Sequence, residues 1–247
     1  MQSFICSSCG GNDFIKVGAF YECLFCGTKV IPEHNKDTSE IIERYDFMRE
    51  KCVDAGDITK ALEYTDKVLE LDPHHYLANL NRFIYKIELE PEKYGAKQYA
   101  QYTTKMVIPM ILPEELPIEE RIERIESIVN QCIIVADHFT PKAVSKIKTD
   151  KVSLGLEPLV DVIIMLRDIY STCYDINIKV KPDNFAAIKE TLSLLLIHSN
   201  KLHCDILLSF ENQPVHQSVA NDTTELIRKT NPSYTPPPFR SFEESYP

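Results

Sequence analysis

The chain has 247 residues, 44% of them hydrophobic, and a formal net charge of −10. It is long enough to bury one large or two ordinary cores, and too acidic overall to suit a phosphate backbone as its main partner. No apolar run reaches the roughly 18 to 20 residues of a membrane helix, and Met1-Gln2-Ser3-Phe4-Ile5-Cys6 lacks the basic and apolar segments of a signal peptide. These features predict a soluble protein, cytoplasmic by default and without membrane association.

Four of the eight cysteines form two pairs, Cys6-Ser-Ser-Cys9-Gly10 and Cys23-Leu-Phe-Cys26-Gly27. Short apolar segments around them (Phe4-Ile5, Phe14 to Val17, Phe20 to Glu22, Lys29 to Ile31) predict the strands of two linked hairpins over residues 1–32. A module this short cannot bury enough apolar surface to offset its chain entropy, so a bound ion has to supply the missing core. Two residues between the cysteines of a pair let both thiolates reach one ion, and the following glycine lets backbone N–H groups turn toward sulfur. The pattern predicts a tetrahedral zinc site ligated by Cys6, Cys9, Cys23 and Cys26, with iron or a metal-free dithiol as the alternatives. Four thiolates leave no open position, so the predicted role is structural.

His34 is the nearest further donor and reads as a solvated linker residue. Phe14, Phe20, Tyr21 and Phe25 are expected to form a miniature core, the other reading being a surface on which bases stack. The remaining cysteines, at 52, 132, 173 and 204, fall on apolar helical faces and read as small buried hydrophobes in a reducing compartment.

The two CxxCG knuckles resemble the zinc ribbons, of the rubredoxin-knuckle type, found in transcription-factor and RNA-polymerase-associated proteins. That resemblance covers residues 1–32 and implies zinc; relatives use such ribbons for nucleic acid, for protein docking or as structural caps. Only Lys16, Lys29 and Lys36 are available as basic groups here, which disfavours the nucleic-acid use.

Residues 33–38 read as a polar linker, followed by an α-helical domain over 39–230. Asp37-Thr-Ser-Glu40 has the spacing of an N-terminal cap, and Ile41, Ile42, Tyr45, Met48, Cys52 and Val53 recur at helical spacing as far as Ala55. Gly56-Asp57 breaks the pattern, and Ile58, Ala61, Leu62, Thr65, Val68 and Leu69 mark a second helix ending at Leu71-Asp72-Pro73. Over 41–73 this hairpin resembles a tetratricopeptide repeat in Tyr45, Met48, the Gly56-Asp57 turn, Ala61 and the exit at Pro73. It departs from the repeat at Arg49, where a small residue belongs, and the pattern does not recur.

A third helix is expected over about 74–88, then a shorter one after Pro91 carrying Tyr94, Tyr99 and Tyr102. These tyrosines suit a half-buried amphipathic face, the alternative being a peptide-binding wall. Three prolines within 109–117 predict a boundary between two helical halves. Pro117 then opens a long amphipathic helix with Ile118, Ile122, Ile125, Val129, Cys132, Ile133 and Ala136 inward, and Pro141 is expected to open another. Two further apolar helices are predicted, from Leu156 to Tyr174 and from Phe185 to about Phe210, with Leu192, Leu195, Leu196, Leu202 and Ile206 in the core. His198, His203 and Cys204 sit on different faces of the last one, which argues against a second metal site.

From Asn231 to Pro247 the chain is a proline-rich tail without helical period. It reads either as unstructured or as an arm that anchors Phe239, Phe242 and Tyr246 in a groove. The predicted fold is therefore mostly α, with a small β zinc ribbon before an all-helical, partly tetratricopeptide-like body. No glycine-rich phosphate loop, nucleophile elbow or helical HExxH motif is present. The expected function is that of a non-enzymatic zinc-binding adaptor or regulatory protein that binds a protein partner through its helical body and ribbon. The alternative is a nucleic-acid-binding or transcription-associated protein that acts through the ribbon.

Overall fold

The computed structural model describes residues 6, 8–17, 20–30, 36–91, 93–149, 156–180 and 185–247. Phe4-Ile5, Ile31 and His34 lie outside them. The chain divides into two units, Met1–Phe47 and Met48–Pro247, and the fold is mostly α with a small β element.

In the first unit, strands β1 (Phe14–Val17), β2 (Phe20–Cys23) and β3 (Lys29–Val30) form an antiparallel sheet in the order β1-β2-β3. Phe14 pairs with Cys23 and Val17 with Phe20, while Tyr21 pairs with Val30. The two expected hairpins thus share β2. Helix α1 (Lys36–Asp54) starts in this unit, so Asp37 lies within its first turn instead of preceding it.

In the second unit, Gly56 reverses the chain at φ 73°, a left-handed conformation that favours glycine. The Asp57 side chain then accepts from the Lys60 N–H at 3.1 Å and caps α2 (Ile58–Leu71). Ala61, Thr65 and Val68 are buried along one face of α2, which packs against α3 (Tyr76–Leu89). Arg49, the residue that departs from the repeat pattern, is only 7% exposed and donates to the Tyr85 hydroxyl at 3.2 Å.

After α3, helix α4 (Ala96–Tyr102) runs through a π-helical stretch, Thr103–Val107, into α5 (Ile108–Ile111). Pro109 sits in the first turn of α5 and does not stop it. The break falls at 112–117, and it does not separate two halves: one core of buried apolar residues extends from Leu80 to Phe242. Arg121, only 1% exposed, holds this turn by donating to the carbonyls of Pro113 and Glu114 and to Asn177 Oδ1. Arg124 adds a bond to the Ile111 carbonyl at 2.9 Å.

Helix α6 (Ile118–Thr149) continues through Pro141, contrary to the expected new start. A proline inside a helix costs about 3 kcal/mol in isolation, but Phe139 and Ala143 on either side are buried in the same core as Ile125 and Cys132. Tertiary packing of a long apolar stripe outweighs one missing hydrogen bond. Helices α7 (Glu157–Val180) and α8 (Phe185–Cys204) pack on each other and on α6, and α9 (Gln213–Arg228) packs on α8. A 3-10 turn, Leu207–Ser209, replaces the expected end of α8 near Phe210. Among the described residues no helix is long and apolar enough to cross a membrane.

The tyrosines after Pro91 pack on the core, Tyr99 within it and Tyr94 and Tyr102 partly buried against it. Phe83 meets Tyr94 and Tyr99 edge-on at 5.3 and 5.7 Å and stacks on Tyr102 at 4.8 Å. Cys132, Cys173 and Cys204 are fully buried, as their apolar settings predict, and Cys52 is half-buried.

The tail docks on its own chain. Arg240 donates its N–H to the Cys204 carbonyl at 2.9 Å and accepts from the Leu208 N–H at 2.9 Å. Phe239 packs against Cys204, Leu207 and Ala220. The Ser241 hydroxyl caps a last turn, α10 (Phe242–Ser245), and Phe242 is 7% exposed within the main core.

Candidate metal centre

The two cysteine knuckles are built alike. In the first, the Gly10 N–H bonds the Cys6 carbonyl at 2.8 Å and the Cys6 N–H bonds the Gly11 carbonyl at 2.8 Å. In the second, Gly27 bonds back to Cys23 at 2.8 Å and Cys23 bonds Thr28 at 3.0 Å. Gly10 and Gly27 take φ of 74° and 70°, which lets each turn close after its second cysteine. Pairing of Phe14 with Cys23, and a bond from the Leu24 N–H to the Asp13 carbonyl at 2.9 Å, set the second knuckle beside the first.

The four ligand atoms of Cys6, Cys9, Cys23 and Cys26 all lie within 4.8 Å of one another. The Sγ atoms of Cys6 and Cys26 are 3.5 Å apart, and those of Cys9 and Cys23 are 3.6 Å apart. A metal–sulfur bond of about 2.3 Å places the corners of a regular tetrahedron about 3.8 Å apart. Two of the sulfur–sulfur separations lie near that spacing, and the group as a whole could hold one metal ion. Cys6 and Cys23 are 1% exposed, and Cys9 and Cys26 face outward.

The thiols do not behave alike. The N–H groups of Ser8 and Cys9 lower the Cys6 thiol, and the Thr28 hydroxyl, 3.1 Å from Cys26 Sγ, with the Thr28 N–H lowers Cys26 to about 6. The Gly11 N–H favours the Cys9 thiolate too, but its neighbours Cys26, Cys23 and Cys6, together with burial, outweigh it and push Cys9 up to about 12. Four sulfurs this close cannot all ionise against each other; a divalent cation among them removes that conflict. Among the described residues this is the one group of three or more histidine, cysteine or acidic side chains placed to hold a metal.

The structure separates the other candidates. His198 pairs with Asp137 Oδ1 at 3.2 Å, whereas His203 Nε2 lies 3.0 Å from His216 Nδ1. The aromatic residues of the knuckles need a correction: Phe25 is 66% and Leu24 65% exposed, and Ile15 is 51% exposed. Between the buried Cys23 and the exposed Cys26, Leu24 and Phe25 are turned outward, so Phe25 is not core. Phe14 is half-buried, and the side chains of Phe20 and Tyr21 lie outside the description. The Phe25 ring lies over Gly11, where an added Cβ would come within 2.5 Å of Phe25 Cδ2. Thr28 was not singled out by the sequence; its signal is a hydroxyl placed one residue beyond the knuckle glycine.

Comparison with protein-family models, curated proteins and solved structures finds no match to this chain.

Proposed function

We propose that the chain is a zinc-binding adaptor: Cys6, Cys9, Cys23 and Cys26 hold one structural zinc ion, and the ribbon so formed presents an apolar contact to a protein partner. The observation that carries this reading is the joint one of four converging sulfurs with Leu24 and Phe25 exposed on the knuckle they close. An all-sulfur tetrahedral set favours zinc among the common divalent ions. When bound, the ion cross-links the two knuckles and neutralises thiolate charge; with four protein ligands it holds no reactive water.

The Phe25 ring packs over Gly11 yet stays 66% exposed beside Leu24 at 65%, and two adjacent exposed apolar side chains form a patch suited to a protein contact. The helical body supplies the second contact surface. The test compares the full chain with a Leu24→Asp, Phe25→Asp double variant in affinity purification from its native cells. A partner recovered in stoichiometric amount with the natural chain, and lost with the double variant while zinc content is unchanged, supports the reading. No partner with the natural chain, together with salt-sensitive binding of a single-stranded oligonucleotide that weakens on Lys29→Glu, replaces it with the nucleic-acid reading.

A further inference from the structure

A cleft of about 150 Å³ opens between α7, α8 and α9, remote in sequence from Cys6, Cys9, Cys23 and Cys26. Leu196 of α8, 3% exposed, forms an apolar wall, with Tyr170 of α7 and Leu226 of α9 also lining it. Arg167 and Ser171, one helical turn apart on α7, bring a guanidinium and a hydroxyl to one side. Asp222 of α9 brings a carboxylate, and the buried Thr223 beside it donates its hydroxyl to the Val219 carbonyl at 2.7 Å.

Arg167 is half-buried, yet among the described residues it makes no hydrogen bond and no ion pair within 4.0 Å. The other buried arginines are satisfied: Arg49 by Tyr85, and Arg121 by two carbonyls and Asn177. Partly desolvating a guanidinium without a partner is unfavourable, and burial lowers the Arg167 pKa although Asp168 and Asp222 act to raise it. An arginine held this way has its planar fork free for a carboxylate, the anion it matches best in two parallel bonds.

The opposite charge in the cleft selects among anions. Asp222 shares the lining with Arg167 but is not within ion-pair distance of it. Its carboxylate repels a dianion such as phosphate and attracts a cation. A ligand that carries a carboxylate and an ammonium a few atoms apart satisfies both groups at once, and a cavity of this size holds about six heavy atoms, the number in alanine.

We propose that this cleft binds a small α-amino acid as its zwitterion, the carboxylate forked on Arg167 and the ammonium facing Asp222. Ser171 stands beside the charged groups as a further hydrogen-bonding position. The ligand's Cα and a short side chain lie against Leu196 and Leu226.

The test uses the full chain, with glycine, L-alanine and L-serine as probes and with acetate, methylammonium and inorganic phosphate as fragments and controls, read by calorimetry and by amide chemical shifts. The expected result is saturable binding of at least one amino acid, with shifts centred on Arg167, Ser171 and Thr223. Arg167→Gln weakens that binding by more than about tenfold, or 1.4 kcal/mol. Asp222→Asn weakens the amino acid by a similar factor and leaves acetate unaffected or tighter. Without ligand, Arg167→Gln melts no lower than the natural chain, since it removes an unpaired charge. A sharp loss of stability in that variant would mark Arg167 as structural and overturn the proposal. So would amino-acid binding unchanged by it, no binding of any of the three amino acids at millimolar concentration, or phosphate binding more tightly than all of them.

Discussion

Removing the Phe242 ring tests whether the tail belongs to the folded body. Phe242 is 7% exposed and sits in the main core beside Tyr246, ring centroids 5.3 Å apart. Its backbone N–H is held by Ser209 Oγ at 2.7 Å. Full burial of a phenylalanine replaced by alanine costs about 3 to 5 kcal/mol; a site near the chain end relaxes more than an internal one, so Phe242→Ala should cost about 3 kcal/mol. That is a change of roughly 150-fold in the unfolding equilibrium. In a unit spanning Met48–Pro247 it corresponds to a fall in Tm of about 6 to 12 °C. Urea unfolding followed by circular dichroism reads the first quantity and a thermal melt the second. A variant that melts within about 1 °C of the natural chain would refute the docking, as would chymotrypsin cutting at Phe239 or Phe242 in the native protein as fast as in a free peptide.

Arg121→Met should destabilise by about 2 to 4 kcal/mol, because it leaves the carbonyls of Pro113 and Glu114 and the Asn177 Oδ1 without their donor inside the protein; a urea midpoint equal to that of the natural chain would contradict this. Acid should weaken the fold through His203. Burial, then the neighbouring His216 and the Arg167 cation, lower it to about 4. The unfolded chain, with an ordinary histidine pKa near 6.5, takes up the proton first, so stability is full above about 6.5 and falls as pH drops toward about 4, by an amount on the order of 2 kcal/mol. His203→Phe, a ring that fits edge-on against Phe210 as the imidazole does, should flatten that slope. An unchanged slope of urea midpoint against pH would remove His203 from the account.

The parts of the fold that were legible in the sequence are those set by neighbours in the chain. The cysteine spacing, Gly10 and Gly27, and the break at Gly56-Asp57 all act within a few residues, and their structural counterparts are where the pattern places them. What escaped the sequence depends on groups far apart. Pro141 reads locally as a helix start, but its neighbours Phe139 and Ala143 lie on a stripe that the whole core covers. Likewise the prolines of 109–117 look like a domain boundary until Arg121 is seen tying that turn to α7. Phe25 reads as core because it is apolar in a module with few other apolar groups, yet the turn between Cys23 and Cys26 leaves it 66% exposed. The tail's two readings differ only in whether a groove exists for Phe239 and Phe242, which no local pattern could decide.

The measurement that bears most directly on the central claim is the metal content of the full chain purified without chelator, beside its Cys26→Ser variant. The account predicts about one zinc ion per natural chain, removable by a strong chelator with loss of amide dispersion in residues 14–30, and none retained in the variant, while the helical signal of both proteins stays nearly equal. A natural chain that carries no zinc yet keeps the β1–β3 sheet, with all four knuckle thiols free to react, would contradict it.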